Sequence, residues 1–176
     1  MRAFRCLTLA AALALALAAC GRSADQRYDY PAWGFSVVFP APPRLIEAAA
    51  TPQHVASFEA KVDSDERLIK QVIVVDTAPD ETLESITQDH AAHYAAAMSG
   101  AAAAATVVAT PEGVVGREVR FSSGGDPVFI SRYFLVGRRL YELDASAVDG
   151  FDDPRLASFL NSLRITGSAP AAANAA

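Results

Sequence analysis

Apolar and polar residues alternate along much of the chain, and this period of two predicts β-strands. Phe35, Val37 and Phe39 share one face of the first predicted strand, which Pro40 ends. The unbroken apolar run at residues 72–75 is typical of a strand that is covered on both faces. The predicted strands span residues 34–39, 54–62, 67–76, 106–110, 115–122, 128–136 and 139–147.

Short turns join most of these strands, which favours antiparallel pairing. The first three strands are expected to form an N-terminal meander. Residues 137–138 read Gly-Arg and fit a two-residue hairpin loop. In that hairpin Phe134 is expected to face Tyr141, and Tyr133 is expected to face Glu142.

Two segments carry apolar residues at helical spacing, and they predict helices over residues 82–98 and 155–163. Asp80 is the expected N-cap of the first helix. The first apolar stripe consists of Leu83, Ile86, His90, Tyr94 and Ala97, and the second of Leu156, Phe159, Leu160 and Leu163. This order of elements predicts the α+β class, with two main helices packed on a twisted antiparallel sheet of about six to seven strands.

The first 19 residues have the pattern of a secretory signal peptide. Arg2 and Arg5 flank the start of an apolar run that is shorter than the roughly 20 residues needed to span a membrane. Residues 17–20 read Leu-Ala-Ala-Cys and resemble the bacterial lipoprotein box, in which cleavage precedes the cysteine. The resemblance implies that Cys20 carries acyl chains such as palmitate, which anchor the protein to a membrane. The alternative is an ordinary secretory signal with a chance cysteine at the cut.

Gly21 follows the cysteine, where an Asp would resemble an inner-membrane retention signal. In a Gram-negative envelope this implies the outer membrane, with the protein facing the periplasm. The predicted organisation is a signal peptide at 1–19, a lipidated tether at 20–27, one α+β domain at 28–166 and a disordered Ala-rich tail at 167–176.

Loss of residues 1–19 removes two arginines and takes the formal net charge from −5 to −7. An acidic domain is a poor candidate for nucleic-acid binding, which requires clustered Lys and Arg. Cys6 leaves with the signal and Cys20 is acylated, so we expect no disulfide, thiol nucleophile or cysteine metal ligand. We also expect no cofactor.

Five short stretches share an order and spacing, and they are Tyr30, residues 34–40 with Pro42 and Pro43, residues 116–118, residues 132–137 with Leu140 and Tyr141, and residues 159–163. Together they resemble the PsbP-like superfamily. The resemblance covers residues 28–166 and implies an α/β/α sandwich around an antiparallel sheet. The superfamily includes photosystem II extrinsic subunits, a Ran-binding nuclear import factor and bacterial envelope proteins. It therefore implies binding or assembly rather than catalysis, and it supplies no catalytic motif to carry over.

His90 and His93 are three residues apart on the first predicted helix, a spacing that can place two imidazoles on one metal ion. Asp89 or the distant His54 are the available third ligands. His90 lies inside the apolar stripe, while His93 lies roughly 60° around the helix at its edge. A hydrogen-bonded core histidine beside a surface histidine is therefore the favoured interpretation, and the metal site is the alternative.

Five arginines lie in the second half of the chain, and they are Arg117, Arg120, Arg132, Arg138 and Arg139. If the hairpins stack, Arg117, Arg132 and Arg139 are candidates for a docking site that recognises an acidic partner or an anionic ligand. Solvated strand ends are the favoured alternative. Arg132 is the exception, because it interrupts an apolar face and a buried arginine needs a partner.

No nucleophile elbow, phosphate-binding loop or dinucleotide fingerprint is present, and the glycines of residues 113–116 are attributed to a turn. The leading hypothesis is a membrane-anchored envelope lipoprotein that acts as a non-catalytic protein-binding adaptor or assembly factor. The alternative is a small-ligand-binding lipoprotein with a pocket between the first helix and the sheet. An enzyme with an active site assembled from distant residues is a third possibility, and we expect no enzymatic activity.

Overall fold

The computed structural model describes residues 25–47, 55–61, 69–97, 101–102, 104–122, 127–148 and 150–166. The predicted signal peptide, Cys20, His54, Met98 and the Ala-rich tail lie outside the described residues. No helix in the described part of the chain is long and apolar enough to cross a membrane.

Eleven strands and two α-helices follow one another along the described chain. They are β1 (Gln26–Tyr30), β2 (Phe35–Phe39), β3 (Arg44–Glu47), β4 (Val55–Lys61), β5 (Ile69–Asp76), α1 (Leu83–Ala97), β6 (Ala101–Ala102), β7 (Thr106–Ala109), β8 (Val115–Ser122), β9 (Val128–Val136), β10 (Arg139–Ala147), α2 (Pro154–Leu160) and β11 (Arg164–Ile165). A short 3-10 helix, Pro31–Trp33, joins β1 to β2.

The strands form two antiparallel sheets. The larger has the order β3-β4-β5-β10-β9-β8-β6, and β7 also pairs with β8. The smaller has the order β1-β2-β11. Helices and antiparallel sheets in this arrangement confirm the predicted α+β class.

The predicted N-terminal meander is wrong in one respect, because β2 does not join the sheet that contains β4 and β5. It pairs with β1 and with β11, the last described strand. The local cause is the tight turn before it, in which Gly34 adopts the left-handed conformation with φ 72° and returns the chain onto β1. The prolines that follow β2 then prevent further ladder pairing in this direction.

Strand β10 is the centre of the larger sheet and is buried along its whole length. Its successive side chains point to opposite faces, which separate two apolar cores. The larger core lies between the big sheet, the small sheet and α2, and its buried aromatic residues are Phe35, Phe39, Phe58, Phe134, Tyr141 and Phe159. The smaller core lies under α1 and consists of Ile86, Val119, Phe121, Tyr133 and Leu140.

The β9–β10 hairpin has the predicted register. Phe134 lies opposite Tyr141, and Tyr133 lies opposite Glu142. Residues 137 and 138 form the loop, and Gly137 has φ 62°, a value that favours glycine.

Helix α1 begins differently from the prediction. Thr82, rather than Asp80, is the N-cap, because its Oγ1 accepts a hydrogen bond from the backbone N–H of Ser85 at 3.2 Å. The Ser85 Oγ in turn accepts a hydrogen bond from the backbone N–H of Thr82 at 3.1 Å. This reciprocal arrangement satisfies two backbone donors at the start of the helix.

The prediction that Gly116 lies in a turn is wrong, because Gly116 is a residue of strand β8. A Cβ atom at this position would lie 2.5 Å from the Phe134 ring and 2.5 Å from the Tyr133 carbonyl oxygen. The glycine is therefore required for close packing against β9, whereas Gly113, with φ 88°, does lie in the turn.

Phe39→Ala is expected to lower the free energy of unfolding by about 3–5 kcal/mol. Phe39 is fully buried, and its ring packs against Phe159 of α2 at a centroid distance of 5.5 Å. Val37→Ala should cost less, because it removes a smaller side chain from the same buried face. Urea denaturation measures both values, with the exposed Leu45→Ala as a control. An unchanged stability for Phe39→Ala would mean that the small sheet contributes little to folding.

Candidate functional site

Strand β10 carries polar side chains on the face that α1 covers. Glu142 and Asp144 point to this face and are only 3 % and 2 % exposed. Ser131 and Tyr133 of β9 lie opposite them in the ladder, and both are fully buried. Buried ionisable groups are costly unless they are paired or neutral, so this region requires an explanation. We call Tyr94, Ser131, Tyr133, Glu142 and Asp144 the acidic cluster.

The contacts between Glu142 and helix α1 are long. His90 Nδ1 lies 3.4 Å from each carboxylate oxygen, and the Tyr94 hydroxyl donates to Oε1 at 3.4 Å. Charge-assisted hydrogen bonds are ordinarily about 2.7–2.9 Å long. The Glu142 carboxylate is therefore buried with three long contacts and no short one in the described part of the chain.

Asp144 has a short hydrogen bond, which Ser131 Oγ donates to its Oδ1 at 2.6 Å. Burial raises the pKa of Asp144 well above its usual value, and the charge of Glu142 raises it further, while the Ser131 hydrogen bond opposes the shift. The carboxyl group of Asp144 therefore favours its neutral form.

Tyr133 points its ring under α1, where it packs against His90 at a centroid distance of 5.4 Å. Its hydroxyl is buried and makes no hydrogen bond of ordinary geometry among the described residues, although Ser131 lies close enough to lower its pKa. Burial raises the pKa of Tyr133 overall, and the charge of Glu142 adds to the shift. Burial also raises the pKa of Tyr94, so both side chains remain neutral phenols.

A half-buried strip borders the acidic cluster. Helix α1 packs over β8, β9 and β6. The neighbouring strand β5 presents Ile69, Gln71, Ile73 and Val75 to the same side of the sheet, and each is half-buried. We call these four residues the β5 strip. In the ladder Ile73 lies directly opposite Glu142, so the strip lies next to the acidic cluster.

The two candidate metal ligands have different surroundings. The hydrogen bond that His90 donates to Glu142 raises the pKa of His90, burial opposes the shift, and the charges of Glu142, Asp89 and Glu81 add to it. His93 is exposed, and its ring contacts the edge of Tyr94. Among the described residues, no group of three His, Cys, Asp or Glu could hold a metal ion.

The candidate docking arginines do not come together. Arg117 lies on the α1 side of the sheet, with its Nε 3.4 Å from Glu84 of α1. Arg132 lies on the opposite side, where its Nε donates to Glu118 at 2.7 Å. Arg139 is at the far end of β10 and makes a two-pronged ion pair with Asp76 at 2.9 and 3.0 Å.

Arg132 connects the large sheet to the end of α2. Besides Glu118, its Nη1 donates to the Leu160 carbonyl at 2.9 Å and to Asn161 Oδ1 at 2.8 Å. Arg120 donates to the other oxygen of Glu118 at 2.9 Å. Burial alone would raise the pKa of Glu118, but the hydrogen bonds from the two arginines outweigh it and lower the pKa. Arg132 of β9 is therefore bonded both to β8 and to the C-terminal end of α2.

Sequence analysis did not group the residues of the acidic cluster into one site, although a signal was present. Two acidic residues occupy alternate positions of a strand whose neighbours are mostly apolar. The hairpin register also placed Tyr133 opposite Glu142. The sequence did not show which element covers the face of the sheet that carries Glu142 and Asp144.

Arg132→Met is expected to lower the free energy of unfolding by about 3 kcal/mol, because it removes the closest partner of the buried Glu118. Arg117→Met is the matched control, since it breaks an ion pair with the exposed Glu84, and it should cost less than about 1 kcal/mol. Chemical denaturation measures both, and equal losses would contradict the structural role of Arg132.

His90→Gln is expected to have a pH-dependent effect on stability. The folded-state pKa of His90 is raised, so its ion pair with Glu142 stabilises fully below the ordinary histidine pKa of 6.5 and is lost as the pH rises through the folded value. The loss on substitution should be about 1 kcal/mol or less, because the imidazole is 37 % exposed. It should be larger near pH 6 than near pH 9.

Unfolding curves at several pH values test this prediction, with the exposed His93→Gln as the control. A stability difference for His90→Gln that grows with rising pH would contradict it.

No protein-family model matches this sequence. A search of curated proteins also finds no significant match. Among solved structures, the chain is similar to the solution structure of cyanobacterial PsbP (CyanoP) from Synechocystis sp. PCC 6803. The TM-score is 0.58 at 16 % identity, and the match covers 83 % of this chain and 95 % of that chain. The chain therefore has a PsbP-like fold, as the sequence motifs predicted.

Proposed function

We propose that this protein is a lipid-anchored envelope protein that acts as a non-catalytic adaptor or assembly factor by binding another envelope protein. The observation that carries the proposal is the edge of the large sheet at β3. Leu45 is 47 % exposed and Ile46 is 39 % exposed, although they point to opposite faces of the strand. Apolar side chains on both faces of an edge strand suit contact with another protein.

The β3 edge offers backbone groups as well as side chains. Among the described strands, β3 pairs only with β4. An extended segment of a partner would pair with the outer N–H and C=O groups of β3 and add a strand to the sheet. Main-chain hydrogen bonds would supply affinity, and contacts with Leu45 and Ile46 would supply selectivity.

Lipid on Cys20 would hold the domain close to the membrane. Strand β1 begins at Gln26, inside the stretch predicted as the tether. Arg27 Nη1 donates to Ser36 Oγ at 2.9 Å and to the Ser162 carbonyl at 3.0 Å, which fixes this strand to the domain. The chain from Cys20 to Asp25 can extend less than about 20 Å. We infer an outer-membrane protein that faces the periplasm, because Gly21 follows the lipidated cysteine.

A second candidate function is the binding of a small ligand between α1 and the sheet. The acidic cluster favours it, because the contacts of the buried Glu142 carboxylate with His90 and Tyr94 are all 3.4 Å long. The neighbouring β5 strip offers a half-buried apolar surface beside it.

Site-specific photocrosslinking in cells tests the adaptor function. A photoreactive residue at Leu45 should capture one abundant envelope protein, whereas the same residue at the exposed turn position Glu112 should not. Ile46→Lys should abolish the product and change the free energy of unfolding by less than about 0.5 kcal/mol, since the side chain is exposed. Identical products from both positions, or a product that survives Ile46→Lys, would rule out β3 as the docking edge.

Cys20→Ala is expected to move the protein from the membrane fraction to the soluble fraction without changing the melting temperature of the domain. The substitution removes the acyl chains that anchor the protein but alters no residue of the described fold. Fractionation of a Gram-negative host followed by immunoblotting measures the distribution. Equal membrane retention of the wild type and the variant would refute the anchor, and a soluble wild type would indicate an ordinary secretory signal.

A further inference from the structure

We propose that the end of the domain where β10 leads into α2 contacts the headgroups of zwitterionic phospholipids, with Val148 and Phe151 as its contact residues. The proposal rests on the lipid anchor at Cys20, and it goes beyond that anchor by assigning the surface of the domain that faces the bilayer. It does not involve the β3 edge, so it can fail while the adaptor function stands.

The tether reaches the domain beside α2. Asp25 is the first described residue, and its Oδ2 accepts a hydrogen bond from Ser158 Oγ of α2 at 3.2 Å. Burial lowers the pKa of Lys70, and the charges of Asp25 and Asp153 oppose that shift, so both carboxylates lie near Lys70. Lys70 pairs with Ala145 in the ladder between β5 and β10. The tether therefore enters at the same end of the large sheet as the last residues of β10.

The length of the tether limits which end of the domain can face the bilayer. Ala145 is separated from Arg139, at the hairpin end of β10, by about 20 Å of extended strand. The chain from Cys20 to Asp25 extends less than about 20 Å. A domain that faced the membrane with its hairpin end would therefore stretch the tether to its limit, at a large cost in conformational entropy. The opposite end, which carries Val148, can contact the membrane with a relaxed tether.

Apolar side chains are exposed at the end of the domain where the tether enters. Val148 is 37 % exposed, although the strand that precedes it is buried along its whole length. Phe151 is half-buried, and the Arg120 guanidinium lies over its ring, 5.5 Å from the centroid. Apolar side chains beside an arginine are typical of surfaces that lie in the membrane interface. Val148 and Phe151 can then contact the top of the acyl chains while Arg120 stays among the headgroups.

The charges at this end suit a headgroup that carries both signs. Arg120 is level with Ala145 across the sheet, and its side chain is 48 % exposed, so it can donate to a lipid phosphate. Asp152 and Asp25 are exposed, and their carboxylates match the ammonium group of phosphatidylethanolamine. A strongly anionic bilayer would instead repel the domain, because the chain without residues 1–19 has a formal net charge of −7.

The contact surface is small, and the tether is what makes it effective. One partly exposed valine and one half-buried phenylalanine bury too little apolar area to hold a domain on a bilayer alone. The tether keeps both side chains close to the lipid, so that a weak contact forms at a high effective concentration. The contact therefore sets the orientation of the domain, while lipid on Cys20 supplies the attachment.

The test compares two fluorescently labelled positions of the mature lipoprotein in vesicles of phosphatidylethanolamine and phosphatidylcholine. Acylation of Cys20 leaves the mature chain without a free thiol, so a single introduced cysteine carries the only label. Part of the phosphatidylcholine has a nitroxide on its headgroup, which quenches nearby fluorophores. A label at Asp152→Cys should be quenched at least about twofold more strongly than one at Glu112→Cys, which lies in the turn before β8 at the hairpin end.

Val148→Asp is the variant that removes the contact, and Val107→Asp is its matched control. Val107 of β7 is 68 % exposed, so both substitutions place a carboxylate at an exposed valine. With the label at position 152, Val148→Asp should reduce the quenching to the level found at position 112, because a charge disfavours insertion among acyl chains. Val107→Asp should leave the quenching unchanged, and both variants should keep the wild-type melting temperature.

Flotation of the vesicles distinguishes failure of this proposal from failure of the lipid anchor. A wild-type protein that does not float with the vesicles would refute the anchor, and the proposed orientation with it. A protein that floats but shows equal quenching at positions 152 and 112 would overturn the orientation alone. Quenching at position 152 that survives Val148→Asp would also overturn it.

Discussion

The burial of β10 on both faces is the constraint on which the rest of the structure depends. Its nine residues are all buried, so each side of the strand needs its own covering layer. On one side Tyr141, Leu143 and Ala145 pack against the core beneath the small sheet and α2. On the other side lie Glu142 and Asp144, which an apolar layer alone cannot satisfy. One side of β10 therefore requires apolar packing, and the other requires polar partners for two buried carboxyl groups.

The side that faces α2 is stabilised by aromatic packing and by one carboxylate that accepts hydrogen bonds from two arginines. Aromatic rings of β2, β4 and α2 interlock there, and Glu118 joins Arg132 to Arg120 with short hydrogen bonds. On the side that faces α1, the contacts that the helix makes with Glu142 are longer, at 3.4 Å. Because a buried charge with weak partners lowers stability, this cluster has a cost that dense packing elsewhere must offset. Sites of this kind, rather than the well-satisfied ones, are where a binding function is to be sought.

Local patterns identified both helices and seven of the eleven described strands, but they missed β1, β3, β6 and β11 and did not show how the elements pack together. The two-residue loop at Gly137 determined the β9–β10 register, and with it the position of Tyr133 opposite Glu142. The partners of β2 were not predictable in this way, because β11 lies at the other end of the domain sequence. The acidic cluster was missed for the same reason. Periodicity assigns Glu142 to a face of the sheet, but only the tertiary fold brings His90 and Tyr94 to that face.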